Sequence, residues 1–285
     1  MITGSGTDPR PAVAPGGRPA RGGDAGPVVY LAQKLPSRSQ TFVYHEILAL
    51  RARGASVRPV SVRRNLFMAD VEARLGGVES LLGPGFARHL ATGLAISPRR
   101  LAGVVRELAR GPFPSRGQAV RTGAHAVMGI ALAGLLRRGG AAYLHAHHAE
   151  MSTTIAMVAG RLTGIPFGFT AHGSDVHSHP LLLDRKIAAA SVVVAASDFI
   201  RQSLLAVSPG ADVRVVRCPV PLDRFEPPGV REPGSRLRLL HVGRLDAVKD
   251  QATLVEAVDR AVAGGTDLEL SIVGDGPLRR DLEGL

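Results

Sequence analysis

Leu237-Arg238-Leu239-Leu240-His241-Val242-Gly243-Arg244-Leu245 is the stretch from which the fold can be read. Its first part, LRLLHV, reads as a buried strand, and Gly243-Arg244-Leu245 opens a short loop that holds Lys249. The amphipathic pattern from Asp250 to Ala263 predicts a helix. Leu268 to Val273 predicts a second strand, followed by Gly274-Asp275-Gly276-Pro277 and the end at Leu285. Strand–loop–helix units in succession are how an open parallel sheet builds a phosphate site: loops gather at the carboxyl ends of the strands, glycines let backbone approach a ligand, and helix N-termini attract anions. Two such units leave one face of their sheet without cover. The expectation is therefore a second domain of which this chain carries only the first part, residues 236–285.

Upstream, the same alternation recurs. Val28 to Ala32 reads as a strand, Thr41 to Arg53 as a helix with Val43, Ile47 and Leu50 on one face and Gly54 closing it, and Ser56 to Val62 as a strand that Pro59 marks as an edge or an irregular pairing. Residues 70–138 read as helical, with breaks near Gly83-Pro84-Gly85, Ser97-Pro98 and Gly111-Pro112-Phe113-Pro114. Strands are expected at 141–145, 166–171, 191–196 and 213–216, and helices at 149–163, 180–189 and 198–207, the last capped by Ser197. This is an α/β pattern of doubly wound parallel sheets. Residues 1–26 read as a disordered tail of Gly, Pro, Arg and Ala, 27–218 as an N-terminal domain, and the Pro- and Gly-rich 219–235 as a linker.

The chain has 285 residues, 45% of them hydrophobic, enough for a sizeable core. Aromatics make up only 4%, with no Trp, which argues against stacking on single-stranded bases, so no nucleic-acid partner is expected. The net charge of +11 is carried mostly by Arg in an Ala/Gly/Pro-rich chain. A GC-biased coding sequence accounts for it as well as a basic surface facing anionic lipid or an acidic substrate does. A single cysteine, Cys218, excludes an internal disulfide and fits a reducing cytoplasm. The N-terminal residues lack the apolar core of a signal peptide. The longest apolar run, Ala124 to Leu136, is shorter than the roughly 18 residues a membrane-spanning helix needs.

Two groups of residues could carry chemistry. Arg244 and Lys249, beside Gly243, follow a core strand, where a guanidinium fork and an ammonium suit a diphosphate; a solvated loop with two ordinary cations is the plain alternative. Gly274-Asp275-Gly276 reads more readily as a simple turn, and it is not a dinucleotide fingerprint. His145, His147, His148 and His172 sit at or just past strand ends, on the rim where parallel sheets bind ligands. Each could donate a proton, bond a sugar hydroxyl, bind a metal or simply pack. The H-x-H-H spacing of 145–148, with Glu150 or Asp175, also admits a zinc hydrolase. In His172-Gly173-Ser174-Asp175 the glycine leaves room for a ligand and Asp175 can orient or accept a hydrogen bond.

Taken in order, four segments resemble the GT-B glycosyltransferases, specifically the retaining family 4 group that builds polysaccharides and glycolipids. Ser39-Gln40-Thr41-Phe42-Val43, with His45-Glu46-Ile47 and Leu50, is similar to that group's SETF-type acceptor loop and first helix, with Gln40 where Glu is usual. His145-Ala146-His147-His148-Ala149 and Phe169-Thr170-Ala171-His172-Gly173-Ser174-Asp175 are similar to its two histidine-bearing strand ends. Ala195-Ala196-Ser197-Asp198-Phe199-Ile200 is similar to the segment before the domain crossover. Val242-Gly243-Arg244-Leu245 with Lys249, and Val273-Gly274-Asp275-Gly276-Pro277-Leu278, match the entry to the nucleotide domain.

The resemblance implies two Rossmann-like domains, the second incomplete here. A nucleotide-sugar donor would have its diphosphate on Arg244 and Lys249, with Gly243, Gly274, Asp275 and Gly276 around it. A saccharide or lipid-linked acceptor would lie near Ser39, Gln40, Thr41, His147 and His148. His172 and Asp175 would be the catalytic pair, with neither cofactor nor metal. The family's Glu-x7-Glu element lies past Leu285, so the chain alone is expected to bind nucleotide-sugar weakly or not at all and to turn nothing over; a non-catalytic acceptor-binding remnant is the alternative. A cytoplasmic protein is expected, peripheral at the inner membrane face through the Arg-rich stretch 86–121.

Overall fold

The computed structural model describes residues 26–63, 68–111, 113–178, 181–222, 225–226 and 236–285. The expected tail, apart from Gly26, and most of the expected linker lie outside the described residues. The chain divides into two compact units, Met1–Leu222 and Asp223–Leu285.

The first unit is built on a seven-stranded sheet whose strands are all parallel: β1 (Val28–Lys34), β2 (Val57–Arg63), β3 (Glu79–Ser80), β4 (Tyr143–His147), β5 (Phe167–Ala171), β6 (Val192–Ala195) and β7 (Val213–Val215). Their order across the sheet is β3-β2-β1-β4-β5-β6-β7. The chain winds outward from β1 in one direction, then returns to β4 and winds in the other. The switch point, where the loops after neighbouring strands diverge and leave a crevice, therefore lies between β1 and β4.

Strand alternation sends each strand's residues to two different cores. Val29, Leu31, Leu144, Ala146, Phe167, Phe169, Ala171, Val193 and Ala195 face the larger one. There they meet the apolar sides of α5 (Arg116–Gly139) and α6 (Met151–Thr163), with α3 (Phe86–Leu94) and α4 (Pro98–Ala109) packed outside. Tyr30, Ala32 and Val57 face the smaller core, covered by Val43, Tyr44 and Ile47 of α1 (Thr41–Ala52). Between β2 and β3 lies α2 (Ala69–Arg74). Short α7 (Ser174–His177), α8 (Leu183–Ala189) and α9 (Asp198–Val207) complete the unit, α9 capped by Ser197 Oγ, which accepts from Ile200 N–H at 3.3 Å. Helix α5, at 24 residues, is long and apolar enough by length and composition to cross a membrane. Its buried run from Gly129 to Leu136 is instead the centre of the larger core.

Several expectations are corrected. β2 is not an outermost strand, but the irregular pairing expected at Pro59 is present: Pro59 lies opposite Tyr30 of β1, while β3 is two residues long and meets β2 only at Val60 and Ser61. That strand itself, inside a stretch read as helical, is too short to leave a periodic signal. The strand read at 141–145 runs from 143 to 147, because pairing with β5 continues to His147 opposite Thr170. Ser174–His177 forms a turn of helix where a loop was expected.

The second unit holds a parallel pair, β8 (Leu237–Val242) and β9 (Leu268–Val273), in register along all six residues. Helix α10 (Gln251–Ala263) packs on β9, and α11 (Arg279–Glu283) follows. The reading of β8 as buried is overturned: Leu240 is 68% and Val242 70% exposed. Among the described residues this sheet has two strands, so only the side with Leu239 and His241 is shielded.

Candidate active site

The side chains that could do chemistry in the first unit converge on the switch point. Residues i and i+2 of a strand share a face, so His145 and His147 both leave the apolar core and point toward α1, beside Tyr30 of β1. The Tyr30 ring lies 5.0 Å from that of His145 and 5.5 Å from that of His147. His145 Nε2 is 2.8 Å from Thr170 Oγ1 on β5. His147, fully buried, has Nδ1 3.2 Å from His172 Nε2 at the end of β5, and its Nε2 faces Glu46 Oε2 of α1 at 3.9 Å. Tyr30 Oη donates to the other Glu46 oxygen at 2.7 Å. His172 Nδ1 in turn lies 3.7 Å from Cys218 Sγ. The donor atoms of Glu46, His145 and His147 fall within 4.8 Å of one another. That is a different set from the His145, His147 and His148 group read from the spacing.

Burial dominates the electrostatics here. It lowers His145 and His172 to about 4 and His147 well below the ordinary imidazole range, and neighbouring imidazoles lower His147 and His172 further. It raises the Glu46 carboxyl against the Tyr30 hydrogen bond, and raises the Tyr30 phenol and the Cys218 thiol. The imidazoles are therefore neutral at pH 7 and act as hydrogen-bonding groups, not cations.

The loops are held by one carboxylate. Asp175 is 2% exposed and accepts from the backbone N–H of Ala149 at 2.7 Å, of His172 at 3.0 Å and of Gly173 at 2.6 Å. It thereby joins the loops after β4 and β5, and its oxygens are occupied as a positioning group. Gly173 has φ 147°, a conformation open to glycine. His148 takes φ 72°, rare for a residue with a side chain, and is held there by donation of its N–H to Thr170 O and by Thr153 Oγ1 bonding its carbonyl. Strain fixed from both sides is typical of functional loops.

The loop Ser37–Gln40 meets these histidines through its first helical turn. Ser37 and Ser39 hydroxyls lie 3.3 Å apart, Gln40 has a buried Oε1, and Thr41 begins α1. The Phe42 ring lies tilted at 4.4 Å from that of His172 and edge-on at 6.3 Å from that of His148. Gln40, His148, Ser174 and Asp175 line a cavity of about 140 Å³ with Gln33 and Glu150. Sequence reading missed Lys186, 1% exposed, whose Nζ donates to Ala149 O at 2.7 Å and Glu150 O at 3.0 Å. Burial lowers its ammonium to about 7, against the pull of Glu150 and Asp175.

In the second unit Arg244 pairs with Asp246 at 3.1 Å, and Lys249 ends a single 3-10 turn just before α10. Gln251, 1% exposed, donates to Arg244 O at 2.8 Å and so fixes the loop. A Cβ on Gly274 would sit 1.8 Å from Gly243 O, and one on Gly276 2.2 Å from Leu245 O. These glycines let the two loops lie against each other, with Leu245 N–H donating to Asp275 O at 3.0 Å.

Comparison with known proteins decides the family. The sequence profile of Glycosyltransferase Family 4 matches residues 39–224. The chain belongs to glycosyltransferase family 4. TuaC of Bacillus subtilis (strain 168), a glycosyltransferase named for teichuronic acid biosynthesis, is 30% identical over 155 residues, covering 49% of this chain and 39% of TuaC. Two solved structures share the fold. Anabaena Alr3699/HepE, in complex with UDP and glucose, aligns with a TM-score of 0.55 at 12% identity over 90% of this chain and 63% of its own. The lipopolysaccharide outer core galactosyltransferase WaaB aligns with a TM-score of 0.54 at 16% identity over 90% and 63%. The family 4 chain thus spans about two fifths of TuaC and under two thirds of these structures. With its seven-stranded and two-stranded parallel sheets it has the GT-B architecture.

Proposed function

We propose that this family 4 chain takes part in transfer of a sugar from a nucleotide-sugar to a saccharide or lipid-linked acceptor, with retention at the anomeric carbon. The observation that carries the reading is the contact of the Phe42 ring with that of His172, 4.4 Å apart, which joins the acceptor loop to the histidine-bearing strand ends at the switch point. The first unit would hold the acceptor near Ser39, Gln40, Thr41, His147 and His148, with neutral His172 bonding a donor-sugar hydroxyl and Asp175 holding its loop. Arg244 and Lys249, with the loop of Gly243, Gly274, Asp275 and Gly276, would take the diphosphate. Their charge, with the N-terminus of α10, replaces a metal in stabilising the leaving group. UDP- and GDP-type ligands can be tested directly: millimolar UDP or GDP should show phosphorus line broadening in the presence of the chain. The Arg244→Ala/Lys249→Ala double variant should abolish it, and an undiminished effect would sink the diphosphate assignment.

A cytoplasmic chain resting on the inner membrane face is part of the same reading. Val105 and Val120, 58% and 74% exposed, stand among the arginines of 86–121 and give that surface an amphipathic character. Co-sedimentation with vesicles should require anionic lipid. A second reading, a zinc hydrolase, now leans on Glu46, His145 and His147; purified protein carrying stoichiometric zinc would favour it.

A further inference from the structure

Beside the cavity lined by His148 and Asp175 lies another, of about 330 Å³, which shares Gln33, Glu150 and Met151 with it. Its floor is at the carboxyl end of the sheet. Gln33 comes from β1, Arg63 from the last residue of β2, and Glu150 from the loop after β4. One wall is the amino-terminal half of α5, which contributes Arg121, His125 and Met128, and Leu181 and Lys186 close the other side.

Two guanidinium groups and the Lys186 amine, which titrates at about 7, thus face one carboxylate. Neither the Arg63 nor the Arg121 guanidinium has an ion-pair or hydrogen-bond partner among the described residues. Lys186 spends two of its three N–H donors on the carbonyls of Ala149 and Glu150, which leaves one. The cations also act on each other: His125 is lowered to about 4 by burial and then by Lys186 and Arg121. A neutral His125 remains available for a hydroxyl. Met128, Met151 and Leu181 supply apolar surface of the kind that covers the faces of a sugar ring.

We propose that this cavity binds an anionic saccharide, whose phosphate or carboxylate lies between Arg63, Arg121 and Lys186, and that the acceptor of this chain is of that class. Arginine forks match both anions in two-point geometry. The shared wall at Gln33, Glu150 and Met151 would direct the rest of the acceptor toward Gln40, His148 and the histidine cluster. The inference deepens the glycosyltransferase reading and rests on it.

The test is titration of the whole chain by calorimetry with four probes: glucose 6-phosphate, glucuronate, glucose and inorganic phosphate. At least one anionic sugar should bind ten-fold or more tightly than both glucose and inorganic phosphate, and which one does so names the anion. Arg121→Gln, on an exposed position of α5 that leaves the core intact, should cost that sugar ten-fold or more, whereas Arg99→Gln, outside the cavity, should not. Glucose binding as well as the anionic sugars, with no effect of Arg121→Gln, would overturn the anionic class and leave an acceptor domain standing. Inorganic phosphate binding as tightly as the sugars would overturn the saccharide assignment, and with it the acceptor role of this unit. Binding of none of the four would overturn the site altogether.

Discussion

Asp175 accepts the backbone N–H of Ala149 across 26 residues of sequence at 2.7 Å, and this bond ties the loop after β4 to the loop after β5. Around it are two further N–H donors, from His172 and Gly173, and Lys186 holds the same β4 loop through its carbonyls. The two loops of the candidate site are thus held together from within the protein.

Asp175→Ala should therefore act first on stability. It leaves three backbone donors unsatisfied in a buried place, where hydrogen bonds to a charged group are worth roughly 1.5–3 kcal/mol each and are not additive. A loss on the order of 3 kcal/mol in urea unfolding is expected. Asp175→Asn, which keeps acceptor oxygen, should lose less. Equal stability of Asp175→Ala and wild type would contradict the account.

The histidine cluster predicts acid sensitivity. His145 and His172 stay neutral down to about 4 in the folded chain, while an unfolded imidazole takes a proton near 6.5. Between these values the unfolded state binds more protons, so stability is lost as pH falls from about 6.5 to 4, at up to about 1.4 kcal/mol per pH unit for each group. Urea midpoints measured across that range should fall, and His145→Gln should make the fall shallower. A flat profile would show that the folded imidazoles take up protons as readily as the unfolded ones.

Lys186 predicts a trend at the other end. Its amine deprotonates near 7 when folded and near 10.4 when unfolded, so stability should rise with pH between those values. Lys186→Met should remove that rise, whatever its effect on stability at neutral pH. A rise of the same slope in the variant would place its origin elsewhere.

Phe42→Ala should raise the pKa of His172 toward its ordinary value, because the ring at 4.4 Å is part of what desolvates the imidazole. NMR titration of the histidine ring protons reads this directly. An unmoved His172 would mean that the sheet alone keeps it dry.

In the second unit, Gly274→Ala places a methyl carbon 1.8 Å from Gly243 O, backbone that cannot swing aside. The loops must part, and the amide signals of β8 and β9 should shift or vanish while those of the first unit stay in place. Preserved signals throughout would mean that the loops tolerate separation.

Much of this was legible in the sequence because parallel α/β structure writes itself locally. The periodicity of α9 and its Ser197 cap, and the runs of β8 and β9, needed no knowledge of distant residues. The rim histidines were legible for the same reason, as residues near strand ends. What stayed hidden depends on partners far apart in the chain. Lys186 is a helical residue like any other until its Nζ is seen against Ala149 and Glu150, and Glu46 gains meaning only where α1 crosses β4. Tyr30 alternates into the smaller core with no sign of the carboxylate above it. Strand β3 exists only through its pairing with β2. One signal was available and unused: His145 and His147 two apart in a strand must share a face, which already separates them from His148.

The two-stranded sheet of the second unit has a consequence for handling the protein. Leu240, Val242 and Val273 form a bare apolar patch beside two strand edges that are unpaired among the described residues, the kind of surface on which chains stick to one another. At the other end of the same strands Arg236 reaches Asp267 and Glu269, and Arg238 reaches Glu269, a small ladder of opposite charges. Exposed pairs of this kind weaken as ionic strength rises, whereas the apolar patch does not. Solubility of the chain is therefore a salt-sensitive property governed from its last fifty residues, and low-salt buffers are the ones in which it should stay dispersed.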